Sequence, residues 1–312
     1  MKVKAKTGRD DIAIVCIAET DKGRLIEFAE SVQPPLPREE KWVLTLSSLY
    51  GCPVRCPFCD AGGYYKGKLS EEEILFQIDY LIKYRFPDKR VPSKKFKIQF
   101  ARMGEPAFNK NVLKVLENLK TLYDAPGLMP SYSTVAPERT EGNFERLLEV
   151  KNRIYRDKFQ LQFSIHTTDK EKRDWLIPVR KWSFKDIAEY GDRFFNSGER
   201  KITLNFALAK DMPVDPGILL DYFDPEKFLI KITPVNPTYK AQLNNVSSLV
   251  VPGIEDYSII KSLKNAGYEV ILSIGDPEEN YIGSNCGQYI ETYLSQKGIC
   301  INGYSYHLDS VQ

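Results

Sequence analysis

Three cysteines lie within eight residues of this chain, with the spacing C-x3-C-x2-C: Cys52, Cys56 and Cys59. The chain has only six cysteines among 312 residues, so the cluster indicates metal binding in a reducing compartment and not a disulfide scaffold. Thiolates are the ligands of iron–sulfur clusters, and a 4Fe-4S cluster held by three of them keeps one iron open for a substrate. A structural zinc ion would need a fourth ligand, and only the distant His166 or Cys286 offers one.

Patterns typical of strands and helices alternate from residue 41 onwards and position this loop. The expected strands are 41–48, 96–103, 131–137, 159–166, 201–209, 228–237 and 268–274. The expected helices are 70–86, 110–123, 143–155, 183–195, 215–223, 254–267 and 286–294, the first with a capping box of Ser70 and Glu73. At least six such units predict a parallel α/β fold, a partial (β/α)6 barrel. In barrels of this type the chemistry lies at the carboxyl ends of the strands, and the cysteines follow the first strand.

The rest of the chain suggests one catalytic domain with short additions. We expect a β preamble and proline-rich linker over 1–40, the barrel with its cysteine-bearing loop over 41–298, and a tail over 299–312. No apolar run reaches the roughly 18 residues of a membrane helix, and the N-terminus has no apolar signal region, so we expect a cytoplasmic protein. Lys and Arg total 44 against 42 acids, which neither requires nor excludes nucleic acid.

An ordered set of motifs extends the cysteine signal. C-x3-C-x2-C with Phe58 before the last cysteine is the signature of radical S-adenosylmethionine (SAM) enzymes. Beyond it, the chain resembles the RlmN/Cfr methyl synthases, which methylate adenosine in RNA. The resembling segments, with the family's version after each, are ARMGEPAFN (MGMGEPLLN), YSTVAP (S-T-x-G), FSIH (S-L-H-A), ITPVNP (I-P-W-N-P) and NCGQ (A-C-G-Q). Taken singly, these segments are also compatible with turns and core residues.

The resemblance implies two cofactors and a set of residues that bind them. The three cysteines would hold a 4Fe-4S cluster, and SAM would chelate the open iron and yield a 5′-deoxyadenosyl radical after receiving one electron. The implied SAM-binding residues are Gly104, Glu105, Ser133, Ser164, His166 and Asn236. The implied partners are an electron donor such as flavodoxin or ferredoxin and an RNA, ribosomal or transfer; the sequence does not give the oligomeric state.

The resemblance also implies a catalytic cysteine. Cys286 would accept a methyl group from one SAM, and a radical from a second SAM would activate that S-methyl group for transfer to adenine. The family uses an acid upstream of the cluster as a proton acceptor, and Glu30 is the matching residue here, with Glu27 a second possibility.

Two departures from the family leave alternatives open. The family resolves its adduct with a second cysteine, but this chain has Thr45 at that position. Cys16 or Cys300 would have to replace it, or the adduct is resolved by another route, or the reaction differs. We also expect too little room before residue 41 for the relatives' longer N-terminal RNA-binding domain, so a small molecule or a peptide is the alternative substrate.

Overall fold

One large sheet organises the computed structural model of this protein, which describes residues 1–254, 256–285, 288–295 and 303–311. The strands of this sheet are β1 (Lys2–Arg9), β2 (Ala13–Glu19), β3 (Leu25–Ser31), β4 (Lys41–Leu46), β7 (Lys95–Phe100), β8 (Leu128–Thr134), β9 (Gln160–Ser164), β10 (Ile202–Ala207), β11 (Phe228–Thr233), β12 (Val270–Leu272) and β13 (Asp309–Ser310). Two further strands, β5 (Leu49–Gly51) and β6 (Tyr65–Lys68), form a separate hairpin. The α-helices are α1 (Glu71–Arg85), α2 (Asn111–Leu122), α3 (Glu141–Val150), α4 (Lys170–Leu176), α5 (Phe184–Phe194), α6 (Pro216–Leu220), α7 (Tyr239–Leu243), α8 (Ser258–Asn265), α9 (Pro277–Ile282) and α10 (Ile290–Ser295).

The order of the strands is that of a partial β/α barrel. Neighbours run β12-β11-β10-β9-β8-β7-β4-β3-β2-β1-β13, and every pairing from β4 to β12 is parallel. Strands β1 to β3 extend the sheet beyond β4 in antiparallel order. The predicted α/β fold, its seven barrel strands and the β preamble are therefore confirmed, while the domain boundaries at residues 40 and 298 stay a prediction.

The helices largely follow the predicted pattern. The capping box at the start of α1 is present: the Ser70 hydroxyl accepts a hydrogen bond from the Glu73 amide at 3.2 Å, and the Glu73 carboxylate accepts one from the Ser70 amide at 2.8 Å. The sequence analysis missed β1, β5, β6, β13, α4, α7 and α9. The predicted helix over 286–294 is seen as α10, and its first two residues lie outside the described residues. No helix in the described ranges is long and apolar enough to cross a membrane.

The two faces of the parallel sheet differ in chemistry. Side chains such as Leu44, Phe96 and Ile230 point to one face and pack in the main core with the buried side chains of the helices. We call the opposite face the inner face. Because strand side chains alternate, the inner face receives the intervening residues, many of them polar. They include Thr45, Lys97, Gln99, Ser131, Ser133, Gln162, Ser164, Thr203, Asn205 and Lys231.

A buried ion pair fixes the C-terminal segment against the inner face. The Arg102 guanidinium pairs with the Glu27 carboxylate, and both side chains are almost fully buried. Arg102 also donates hydrogen bonds to the carbonyl oxygens of Ser284 (2.7 Å) and Gly283 (2.8 Å). Glu27 accepts one from the Tyr289 amide at 2.8 Å. The pair therefore holds both flanks of the segment that contains Cys286, although Cys286 itself lies outside the described residues.

Replacing Arg102 with Met is expected to destabilise the protein strongly. The substitution leaves the buried Glu27 carboxylate without its guanidinium, and breaking a buried pair in this way typically costs about 3–5 kcal/mol. Burial already raises the pKa of Glu27, and Arg102 opposes that rise. The free energy of unfolding in urea measures the effect.

The matched control is Lys185→Met, which removes one partner of the exposed Lys185–Glu189 pair and should change the free energy of unfolding by less than about 1 kcal/mol. The double variant Glu27→Leu with Arg102→Met should recover part of the loss, because it removes the isolated charge. An Arg102→Met protein as stable as the wild type would contradict the role given to this pair.

Candidate functional site

The three clustered cysteines lie on a loop at the carboxyl end of β4. All three residues are half-buried. The loop turns back on itself: the Cys59 amide donates to the Cys56 carbonyl at 3.1 Å, and a Cβ on Gly62 would lie 2.7 Å from the Arg55 Cα. This tight turn places the three thiols near one another.

The pKa shifts of the thiols indicate that the three side chains face a common space. The pKa of Cys56 lies well above its ordinary value, because protein surrounds the thiol and because Cys59, Cys52 and Glu105 disfavour a further negative charge. Burial raises the pKa of Cys52 to about 11, while hydrogen bonds from backbone amides, one of them that of Glu105, oppose the rise. Within the described residues no three His, Cys, Asp or Glu side chains are already arranged around one ion position. Thiolates at these positions therefore call for a cationic group.

Glu105 connects the cysteine loop to the next strands. Gly104 precedes it with φ +99°, and a Cβ there would lie 2.5 Å from the Leu49 side chain, so this turn requires glycine. The Glu105 carboxylate accepts hydrogen bonds from the Thr134 hydroxyl (2.6 Å) and the Val135 amide (2.8 Å). Burial raises the pKa of Glu105 to about 7, and these hydrogen bonds oppose the rise. A ligand that carries a positive charge would favour the ionised carboxylate.

His166 packs directly against the cysteine loop. Its ring meets Phe58 edge to face, with the centroids 5.1 Å apart. Its Nδ1 accepts a hydrogen bond from the Ala207 amide at 3.0 Å, which leaves the proton on Nε2. Burial, and then the charge of Arg173, lower the pKa of His166 to about 4, so the imidazole is neutral at pH 7. The residue has φ +67°, a conformation that breaks β9 and turns the ring towards the loop.

The remaining predicted SAM contacts lie around the same end of the barrel. Ser133 and Ser164 are on the inner face of β8 and β9, and no group in the described part of the chain pairs with the buried Ser133 hydroxyl. Asn236 follows β11 and lines a cavity of about 540 Å³. The same cavity is lined by Asn280 and by Asn285, which directly precedes Cys286 in the sequence. The cavity therefore borders the segment expected to carry the catalytic cysteine.

Glu30 does not lie with these residues. Its carboxylate is on the helix-covered face, where it accepts hydrogen bonds from the Trp42 indole (2.6 Å) and the Arg85 guanidinium (2.7 Å). Glu27, three residues earlier on β3, faces the other side and pairs with Arg102. The structure therefore brings Glu27, and not Glu30, to the inner side of the sheet.

Two residues that the sequence analysis missed join the cysteine loop to distant parts of the chain. Asp60, directly after Cys59, accepts hydrogen bonds from the Lys240 amide (2.9 Å) and the Tyr304 hydroxyl (2.9 Å). Thr238 donates its hydroxyl to the Phe58 carbonyl at 2.8 Å. An acid next to a metal-ligand motif was the available signal for Asp60. Thr238 offered none, because its partner is a backbone carbonyl 180 residues away.

Comparisons with known proteins agree with this geometry. No family model matches the chain. Over 200 residues it is 29% identical to a probable dual-specificity RNA methyltransferase RlmN of Pseudothermotoga lettingae, covering 62% of this chain and 55% of the relative. Over 281 residues it is 25% identical to the dual-specificity RNA methyltransferase RlmN of Wolinella succinogenes, covering 86% of this chain and 73% of the relative. Against the first of these relatives, the chain spans little more than half of the length.

The fold has a solved counterpart. The crystal structure of a radical SAM methyltransferase from Sphaerobacter thermophilus superposes with a TM-score of 0.69 at 17% identity, over 92% of this chain and 80% of the other. The sequence relatives and the shared barrel agree with the cysteine loop at the carboxyl end of its first parallel strand. The chain is accordingly similar in sequence to RlmN-type RNA methyltransferases and shares the fold of a radical SAM methyltransferase.

Proposed function

We propose that this enzyme is a methyltransferase that uses a 4Fe-4S cluster and SAM, with adenosine in RNA as its substrate. The observation that supports it most is the group of three cysteine thiols beside the Glu105 carboxylate, on a loop held by His166 and Thr238. The donor set fits the cluster, since Cys52, Cys56 and Cys59 would each ligate a different iron and need not surround one ion. A bound cluster supplies the electron transfer that generates a radical from SAM, with a flavodoxin- or ferredoxin-type protein as its donor.

The residues around the loop are suited to hold SAM. The Glu105 carboxylate would accept the SAM ammonium group, because a cation restores the charge that burial disfavours. The neutral His166 and the unpaired Ser133 hydroxyl would offer hydrogen bonds to the polar groups of the ligand. Ser164 and Asn236 complete the proposed contacts, and Gly104 allows the close approach of the backbone.

Methyl transfer is proposed to proceed through Cys286. The thiolate would attack the methyl carbon of SAM and break its bond to the sulfonium sulfur, which releases S-adenosylhomocysteine. After a radical from a second SAM has removed one hydrogen atom from this S-methyl group, the side chain would deliver its carbon to the substrate in the cavity bordered by Asn285 and Asn236.

The later steps cannot follow the family's disulfide route through Thr45, because a hydroxyl forms no disulfide. Cys16 does not replace the missing cysteine, since it is fully buried among the apolar side chains under the helices. Cys300, the other candidate, lies outside the described residues, so either Cys300 or another base would release the product. Glu27 faces the correct side of the sheet, but its carboxylate already binds Arg102 and the Tyr289 amide.

The cluster assignment predicts that Cys56→Ala abolishes iron binding. After anaerobic reconstitution, wild-type protein should hold about four irons per chain and the variant almost none. Cys16→Ala, at a buried cysteine outside the loop, is the control and should keep the iron. Iron and sulfide analysis measures both. An iron-free preparation with one tightly bound zinc and full stability would instead support a structural zinc site.

The intermediate predicts a specific modification. Wild-type protein incubated anaerobically with SAM and a reductant should gain one methyl group on the peptide that contains Cys286, and release 5′-deoxyadenosine. Peptide mass spectrometry locates the methyl group. Cys286→Ala should lose the methylation but keep the iron. Wild-type protein that makes 5′-deoxyadenosine and never gains a methyl at Cys286 would indicate radical chemistry applied directly to the substrate.

RNA as the substrate predicts salt-dependent binding. Each phosphate contact releases counterions, so the logarithm of affinity for an adenosine-containing RNA should fall linearly with the logarithm of salt concentration. Fluorescence anisotropy from low to physiological salt measures the slope, with a neutral-backbone analogue of the same sequence as control. The absence of salt-dependent binding would exclude RNA and leave a small molecule or peptide.

A further inference from the structure

A second set of polar side chains lies on the inner face of the sheet, in the middle of the strands rather than at their carboxyl ends. We call it the inner polar layer: Lys97 on β7, Ser131 on β8, Gln162 on β9, Asn205 on β10 and Lys231 on β11. The pairing register makes Asn205 and Lys231 direct neighbours. These residues alternate with the apolar residues that pack under the helices, so their side chains point away from the core.

Three members of the layer have polar atoms without partners. The Ser131 hydroxyl, Gln162 Oε1 and Asn205 Oδ1 are buried, and no group in the described ranges hydrogen-bonds to them. The three residues are only 0, 7 and 8% exposed. A buried polar atom left unpaired costs about 1–3 kcal/mol, so three on one face indicate a surface shaped for polar groups of a ligand.

The charge at the layer is positive. Lys97 is half-buried and forms no salt bridge with any acid in the described residues. The charges that act most strongly on it are four cations, Lys231, Lys95, Lys41 and Arg200. Together with desolvation they hold the pKa of Lys97 well below its ordinary value. The buried acid Glu279 interacts with Lys41.

A ligand with an oxyanion and hydroxyl groups would match both the positive charge of Lys97 and the unpaired oxygens of the layer. It would restore the charge of Lys97 and accept its hydrogen bonds, in the way ammonium groups hold phosphates. The unpaired oxygens of Gln162 and Asn205 need donors, which sugar hydroxyls provide. One ligand that carries both groups is a ribose phosphate.

We propose that the inner polar layer binds the ribose and phosphate of a nucleoside phosphate whose base reaches the cysteine loop. This proposal rests on the proposed adenosine substrate, and it adds a site that recognises phosphate inside the barrel. No bond is made or broken there; the layer positions the substrate.

The test compares adenosine 5′-monophosphate with adenosine by isothermal titration calorimetry. Reconstituted full-length protein is saturated with S-adenosylhomocysteine, so that the cofactor site is filled. Wild-type protein should bind the monophosphate at least about tenfold more tightly than adenosine, the gain expected for a charge-assisted contact. Lys97→Met should abolish this difference, and Lys97→Arg should retain most of it. The exposed Lys114 of α2 gives the matched control, and Lys114→Met should behave as wild type.

Unfolding of the Lys97→Met variant does not account for a loss of phosphate binding. Lys97→Met removes a repelled and desolvated charge, so its melting temperature should equal or exceed that of wild type. Equal affinity of wild type for adenosine and its monophosphate, or an undiminished preference in Lys97→Met, would overturn the proposal. So would complete loss of phosphate binding when S-adenosylhomocysteine is added, because the layer would then belong to the cofactor.

Inorganic phosphate separates this proposal from the proposed function. Phosphate that competes with the monophosphate in wild type, but not in Lys97→Met, supports the layer even if no RNA is ever methylated. Competition by a short RNA would show that the phosphate is read within a chain, and competition by free nucleotides alone would assign the site to a small phosphorylated substrate. If the enzyme methylates RNA while phosphate does not bind, the layer proposal fails and the function stands.

Discussion

The alternation of side chains on the parallel strands is the constraint on which the rest of the molecule depends. Each strand from β4 to β11 must bury one row of side chains under the helices, and Phe96, Leu204 and Ile230 illustrate that row. The period of two then sends every intervening residue to the inner face. This face carries polar residues, and parallel pairing brings the carboxyl ends of the strands from β4 to β12 to one rim.

The inner face needs a cover on its antiparallel side, and the C-terminal segment supplies it. Ile282, Tyr289 and Tyr304 pack against the small apolar residues of β1 to β3. The Glu27–Arg102 pair fixes their position with directional bonds that apolar packing lacks. Arg102 occupies the position where the RlmN/Cfr segment MGMGEPLLN has a glycine, so the Glu27–Arg102 pair is a second difference from that family. The first difference, Thr45, lies on the same side of the sheet. Arg102 concerns how the segment around Cys286 is held, and Thr45 concerns how the proposed adduct would be released.

Most strands and helices of the barrel could be predicted from the sequence. Apolar periodicity reports burial directly, so the barrel strands, the longer helices and the capping box at Ser70 were predicted correctly. The face to which Glu27 and Glu30 point was not, because β3 is buried on both sides and its pattern has no polar row. Lys97 and Lys231 resembled exposed strand residues, since half-burial in an open barrel and exposure at a surface give the same alternation. Asp60 and Arg102 act through partners far along the chain.

The charges inside the barrel are separated along its axis. Three thiols and the Glu105 carboxyl group lie at the carboxyl rim, where burial makes additional negative charge unfavourable without a cation. Lys97 lies at mid-depth on the inner face, where burial and neighbouring cations make its positive charge unfavourable. A cationic cofactor at the rim and an anionic substrate below it would each be favoured by these charges, and both would bind in a defined orientation.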